Sequence, residues 1–183
     1  MAKVLLGMMM SLDGYINDRH GSVAPLYPDF AALRSSASLQ EAMRATGAVV
    51  MGRRSYEMGN GDFTGYEFQV PIFVLTHQAP AQVAKGENEH LRFNFVTDGP
   101  VSAIRQAKLA AGERNVMVVG GASTIQQLLN ARLADELHLD VRPIILGAGL
   151  RLFEHLDAER IALEPIGAAY SPALTELRFH IVR

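Results

Sequence analysis

The sequence contains no cysteine. That absence excludes disulfides, thiolate nucleophiles and cysteine-ligated zinc together, and it suits a reducing compartment. Long apolar runs are missing too. No segment approaches the roughly 18 residues that a membrane helix needs. Residues 1–10 carry one lysine and a short apolar run, but polar Ser11 and Asp13 follow with no small-x-small cleavage site. They read as a first strand, not as a signal peptide. Charge of one sign is also scarce. The formal net charge is −2 and no basic run is longer than Arg53-Arg54, whereas nucleic-acid binding calls for a clustered basic face. A cytoplasmic protein with no nucleic-acid and no membrane partner is expected.

Several signatures of chemistry are lacking as well. The histidines (His20, His77, His90, His138, His155 and His180) stand at no H-x-H or H-E-x-x-H spacing, so no metal site is expected. Gly120-Gly121-Ala122-Ser123 does not spell G-x-G-x-x-G, and residues 147–152 fail that pattern at its last position. A Walker A lysine and a G-x-S-x-G elbow are both absent. Asp140 follows Gly120 at a tempting distance, but its place in an alternating strand makes it a poor ribose ligand. Rossmann, P-loop and α/β-hydrolase assignments therefore fall away.

What is present is an alternation of strands and helices across the first two thirds of the chain. Residues 116–119 are an unbroken apolar run rich in β-branched side chains, suited to a central strand buried on both faces. Gly120 and Gly121 stop it. Ser123 and Thr124 can cap the helix that follows, in which Ile125, Leu128 and Leu129 recur at helical spacing. Residues 48–51 form a similar buried strand that runs into Gly52-Arg53-Arg54-Ser55 and a second helix. Other strands are expected at 3–11, 71–75 and 91–96. A capping box at Ser38 starts a helix that Gly47 closes, and Asp98-Gly99-Pro100 opens another, ending at Gly112. Towards the C-terminus the period changes. Leu137, Leu139 and Val141 alternate with Glu136, His138 and Asp140, and Leu177, Phe179 and Ile181 alternate with Glu176, Arg178 and His180. Residues 161–166 can pair with the last strand as a hairpin. The expected fold is α/β, a single domain over 1–183 with a mixed, mainly parallel sheet and antiparallel C-terminal strands.

Two strand-glycine-helix junctions in one sheet carry the chemical argument. A helix start presents unpaired N–H groups and the positive end of its dipole, and glycines leave an anion free to approach. Neighbouring junctions point at a shared crevice, and Arg53 and Arg54 would add charge-assisted contacts. For one junction alone, a plain glycine turn accounts for the residues equally well. The loop carboxylate Asp13 is the acid best placed near such a crevice, although an Asp-Gly turn also explains it.

The ordered set of residues 11–16, 51–57, 73–77, 119–123, 135–139, 143–149 and Leu152-Phe153 resembles the dihydrofolate reductase-like superfamily. It is most similar to the family named for the C-terminal reductase domain of the bifunctional riboflavin-biosynthesis deaminase-reductase. The resemblance covers nearly the whole chain and implies a three-layer α/β/α fold that uses NADPH. It implies that Gly120, Gly121, Ala122 and Ser123 hold the pyrophosphate. Gly52, Arg53, Arg54 and Ser55 would contact the cofactor phosphates, and Thr76 and His77 would meet the adenosine end. The deaminase half and its zinc cysteines are absent. The acid that orients the pterin in dihydrofolate reductases has no clear counterpart in Asp29 or Glu41. The implied activity is hydride transfer to a C=N bond of a pyrimidine- or pterin-like small molecule. Riboflavin-precursor reduction comes first and dihydrofolate reduction second, with Asp13, or a water it holds, as proton source. A non-catalytic NADPH-binding module is the rival reading. A homodimer built on the alternating C-terminal strand also fits the resemblance.

Overall fold

The computed structural model describes residues 2–182. Eight strands form one sheet: β1 (Val4–Ser11), β2 (Thr46–Gly52), β3 (Ile72–Leu75), β4 (Phe93–Val96), β5 (Asn115–Val118), β6 (Glu136–Arg142), β7 (Ala162–Tyr170) and β8 (Thr175–Val182). Their order is β4-β3-β2-β5-β1-β6-β8-β7. The first six are mutually parallel, and β8 and then β7 are added antiparallel. This is the expected mixed, mainly parallel sheet. The apolar run at 116–119 does lie centrally: β5 pairs β1 through Leu6↔Val118 and β2 through Val50↔Val118.

Helices cover both faces, giving three layers. Helices α4 (Pro100–Ala111) and α5 (Ala122–Asn130) bury Ile104, Ala107, Ile125 and Leu128 against Val4, Leu6, Val50, Val116, Val118 and Leu137 of the sheet. The opposite face carries Leu5, Val49, Met51, Ile72, Val74 and Met117. Tyr56 of α3 (Arg53–Glu57), Phe63, Phe68, and Leu39, Ala42 and Met43 of α2 (Ala37–Ala45) pack on it. The short α1 (Phe30–Arg34) buries none of its residues. Among the described residues, no helix is long and apolar enough to cross a membrane.

The second face changes character across β6. Leu137, Leu139 and Val141 point into the first core, so Glu136, His138 and Asp140 lie on the other side. There Asp140 pairs in register with Glu176, and His138 with Arg178. The apolar half of this face thus gives way to a charged half over β6 and β8.

Three local expectations are corrected. The cap of α2 is Ser36, whose hydroxyl accepts from the Leu39 N–H at 3.3 Å, and not Ser38. Gly47 does not close that helix. Thr46 caps it in an extended conformation, its hydroxyl donating to the Ala42 carbonyl at 2.7 Å, and Gly47 lies within β2. Its missing side chain is needed there, because a Cβ would come within 2.5 Å of the Ala111 carbonyl at the end of α4. Finally, Ser123 and Thr124 sit inside the first turn of α5, whose N-cap is Gly121 with no side-chain hydrogen bond.

Ile125 is fully buried between α5 and the sheet. Ile125→Ala is expected to lower unfolding stability by about 2–5 kcal/mol. Urea denaturation checks this as a lower midpoint with an unchanged slope.

Candidate active-site crevice

The two glycine junctions meet. The Gly52 N–H donates to the Gly120 carbonyl at 2.8 Å, tying the end of β2 to the turn after β5. Gly120 has φ +102°, a conformation that side chains disfavour. A Cβ on Gly52 would lie 2.5 Å from the Thr124 hydroxyl oxygen. The glycines therefore let the starts of α3 and α5 approach each other. At the mouth between them, Gly121, Ala122, Ser123 and Thr124 line a crevice of about 1790 Å³. The first amides of the nine-residue α5 have no side-chain cap, which leaves the N–H groups and dipole available to an anion. Helix α3 is only five residues long and offers charge more than dipole. Arg53 is held by Glu57 at 2.7 Å, whereas Arg54 makes no ion pair among the described residues and lines the crevice.

Of the residues expected to meet a cofactor, Gly52, Arg53, Arg54, Ser55, Thr76, His77, Gly121, Ala122 and Ser123 line this one crevice. Gly120 stands behind it, as the acceptor from Gly52. The Thr76 hydroxyl is occupied locally, donating to the Gln78 carbonyl at 2.8 Å, so its contribution to the wall is shape. His77 is exposed.

Asp13 is not brought to the crevice. Its carboxylate accepts from the Ser11 hydroxyl at 2.6 Å, the Leu146 N–H at 3.1 Å and the Gly147 N–H at 2.7 Å. These bonds, the Ser11 hydroxyl foremost, outweigh partial desolvation and hold the carboxyl at about 2. An acid so committed is ionised at neutral pH and fastens the 143–150 bend to the end of β1. It is a structural clamp and a poor proton donor.

Beyond the glycine rim, the crevice runs over Gly7, Met8 and Met9 of β1 onto the charged half of the sheet, where His138, Asp140, Glu176 and Arg178 line it. Tyr27, Phe30 and Leu33 form the facing wall with Tyr66 and Phe68. Burial first, and Glu176 second, push the Asp140 carboxyl up to about 6, with Arg178 opposing. Burial raises the Tyr27 phenol to about 12, with help from Asp140 and Glu67. Glu136 lies deeper. Burial alone would raise its carboxyl, but Lys3 at 2.6 Å and His138 at 2.8 Å hold it below the usual range.

A model of the RibD C-terminal domain matches residues 2–170. The chain belongs to that family. It is 23% identical to the uncharacterised protein YyaP of Bacillus subtilis (strain 168), over 97% of this chain and 94% of the relative. The structure of a putative riboflavin biosynthesis protein from Shewanella sp. PV-4 is 26% identical and superposes with a TM-score of 0.80, covering 99% of each chain. Dihydrofolate reductase from Enterococcus faecalis, solved with NADP(H), is 17% identical. It superposes at 0.62 over 98% of this chain and 96% of its own, which establishes the dihydrofolate reductase-like fold.

Within this RibD C-terminal domain, two groups of crevice residues escaped the sequence reading. Thr97, Asp98, Gly99 and Pro100 bring a third strand-glycine-helix junction to the rim, at the start of α4. Its signal was legible, because Gly99-Pro100 after a short strand repeats the pattern of the other two. The second group is the charged floor. The alternation on β6 was legible as a polar face, and a polar face ordinarily meets solvent. Only the third dimension shows that this one meets the crevice.

Asp13 provides a pH test. Its folded-state value lies below the unfolded one, so its contribution to stability is complete above about 4 and is lost as pH falls through about 2. Asp13→Asn is expected to be less stable than wild type at neutral pH. The gap should close in acid, as thermal melts across this range would show.

Proposed function

We propose that this chain is an NADPH-dependent reductase that transfers a hydride to a C=N bond of a pyrimidine- or pterin-like substrate, of the riboflavin-precursor (5-amino-6-(5-phosphoribosylamino)uracil) reductase type. The observation that carries this reading is the continuity of one crevice. A glycine-lined anion cradle beside an unpaired arginine opens onto a separate, charged and aromatic chamber. Membership of the RibD C-terminal domain family and the fold shared with an NADP(H)-bound dihydrofolate reductase support it.

The fit to a dinucleotide is chemical as well as spatial. Side chains at Gly52 and Gly120 would collide with Thr124 and Met8, so the cradle stays closed behind and open in front. Gly121, Ala122 and Ser123 would hold the pyrophosphate through backbone amides, with Gly120 shaping the turn. Arg54, with Arg53 and Ser55 beside it, would meet further phosphate oxygens. Thr76 and His77 would border the adenosine end. When bound, the reduced nicotinamide supplies the hydride. The chain's own tasks are to fix the two reactants in register and to exclude water. Met8, Met9, Tyr27 and Phe30 give the chamber apolar walls suited to both.

The rest of the reading follows from the edge of the sheet. All nine residues of β7 are exposed, with Leu163, Ile166 and Tyr170 among them. An open edge of that length invites pairing, and it supports a homodimer assembled through the C-terminal hairpin. Light scattering should return twice the chain mass, and a monomer would remove the dimer from the proposal.

The activity test is NADPH oxidation with 5-amino-6-(5-phosphoribosylamino)uracil and with dihydrofolate. Turnover of the first is expected. Turnover of dihydrofolate alone would reassign the substrate, and NADPH binding with no oxidation of either would favour a binding module. Arg54→Gln removes one charge-assisted contact. It should weaken NADPH binding roughly tenfold or more, a loss of about 1.5 kcal/mol or more, in a fluorescence titration. Unchanged affinity would take Arg54 out of the site.

A further inference from the structure

Asp140 is a largely buried acid on the crevice floor that no hydrogen bond or ion pair among the described residues engages. Among the described residues no donor lies within hydrogen-bond distance of its carboxylate, whereas Asp13 is bonded three ways and Glu136 twice. Its neighbours are defined on every side. Glu176 faces it directly from β8, with Arg178 two residues along and bonded to Glu176 at 3.3 Å. Uncharged Met9 stands beside it on β1. His138 lies on its own strand, already bonded to Glu136. Tyr27 approaches from the loop above, near enough for an ionised Asp140 to raise the cost of ionising the phenol. Partial burial and a like charge opposite favour the protonated acid, and Arg178, shared with Glu176, opposes them only in part.

We propose that Asp140 is the proton donor of the reductase, delivering its carboxylic proton to the nitrogen of the C=N bond being reduced, in a substrate whose planar heterocycle is held between the charged sheet floor and the Tyr27–Phe30 wall. The proposal rests on the reductase reading above. The step balances as an imine reduction. The C=N π bond opens, and the carbon takes a hydride from the nicotinamide dinucleotide, which is thereby oxidised. The nitrogen takes the proton from the Asp140 carboxyl. The carboxylate left behind recovers a proton from solvent. Protonating the nitrogen as hydride arrives avoids a buried nitrogen anion, the service expected of a general acid. Glu176 acts through Asp140 as a positioning residue, keeping a proton on its neighbour near neutral pH. Tyr27, neutral throughout this range, is limited to hydrogen bonding and stacking.

Sign and window follow from the raised value of about 6. The active, protonated form dominates below that pH and is lost as pH rises through it. Carbon-13 NMR of carboxyl-labelled protein without cofactor reads the group directly. The Asp140 resonance should titrate near 6 and move to lower pH in Glu176→Gln. A midpoint near 4 in wild type, or one indifferent to Glu176→Gln, would overturn the assignment. In turnover with 5-amino-6-(5-phosphoribosylamino)uracil, Asp140→Asn should lower kcat about 100-fold or more. NADPH affinity should hold within about twofold, and Asp140→Glu should restore part of the rate. The alkaline limb of the kcat profile should shift down in Glu176→Gln. Full turnover by Asp140→Asn would reject the proton-donor role while leaving the reductase reading intact. Failure of the wild-type protein to bind NADPH would instead remove the reading on which it rests.

Discussion

The architecture depends on one hydrogen bond made possible by two absent side chains. The Gly52 amide reaches the Gly120 carbonyl at 2.8 Å with neither residue carrying a Cβ, and a methyl at 52 would strike Thr124 of the neighbouring junction while one at 120 would strike Met8 of β1. That contact sets the separation of two strand ends in the middle of the sheet and of the helices that leave them. The burial of α5 follows from it, since Ile125 and Leu128 reach the core only if the turn at 120–121 is tight. The mouth of the crevice follows too. Packing and the shape of the crevice mouth are thus the same local geometry, and the residues at 52 and 120 answer to both demands.

A second constraint is the asymmetry of the sheet. One face is apolar from β3 to β8 and is covered by α4 and α5. The other is apolar from β3 to β1, under α2, Tyr56 and the aromatic group around Phe63, and charged over β6 and β8. Cover by α2 ends where the charges begin, which leaves a chamber and not a core. Parallel strands place their ends, and so their turns, on one rim. The antiparallel β8 then brings residues from the far end of the chain to the same floor.

Much of this was legible in the sequence, for identifiable reasons. Buried parallel strands advertise themselves as unbroken apolar runs, so β2 and β5 were found within a residue or two. Glycines followed by arginines marked the rim. The capping details were less accessible. Ser36 and Ser38 are chemically alike, and which one caps α2 depends on the extended backbone at Ser36. Gly47 looked like a helix terminator, because the close passage of Ala111 is a tertiary fact with no local trace. Asp13 shows the sharper limit. Its position after β1 suggested a crevice, yet the amides of Leu146 and Gly147, more than 130 residues away, claim its carboxylate. The chamber floor was visible as alternation, but a polar stripe facing open water and one facing a crevice look the same in one dimension.

Strand β8 has a consequence of its own. It lies outside residues 2–170, the part that carries the family pattern, yet it supplies Glu176 and Arg178 to the chamber. The glycine junctions at the crevice mouth and two of the charges on its floor are therefore contributed by widely separated parts of the chain. A substitution at 176 or 178 would recharge that floor without touching the hydrogen bond that ties the two junctions together.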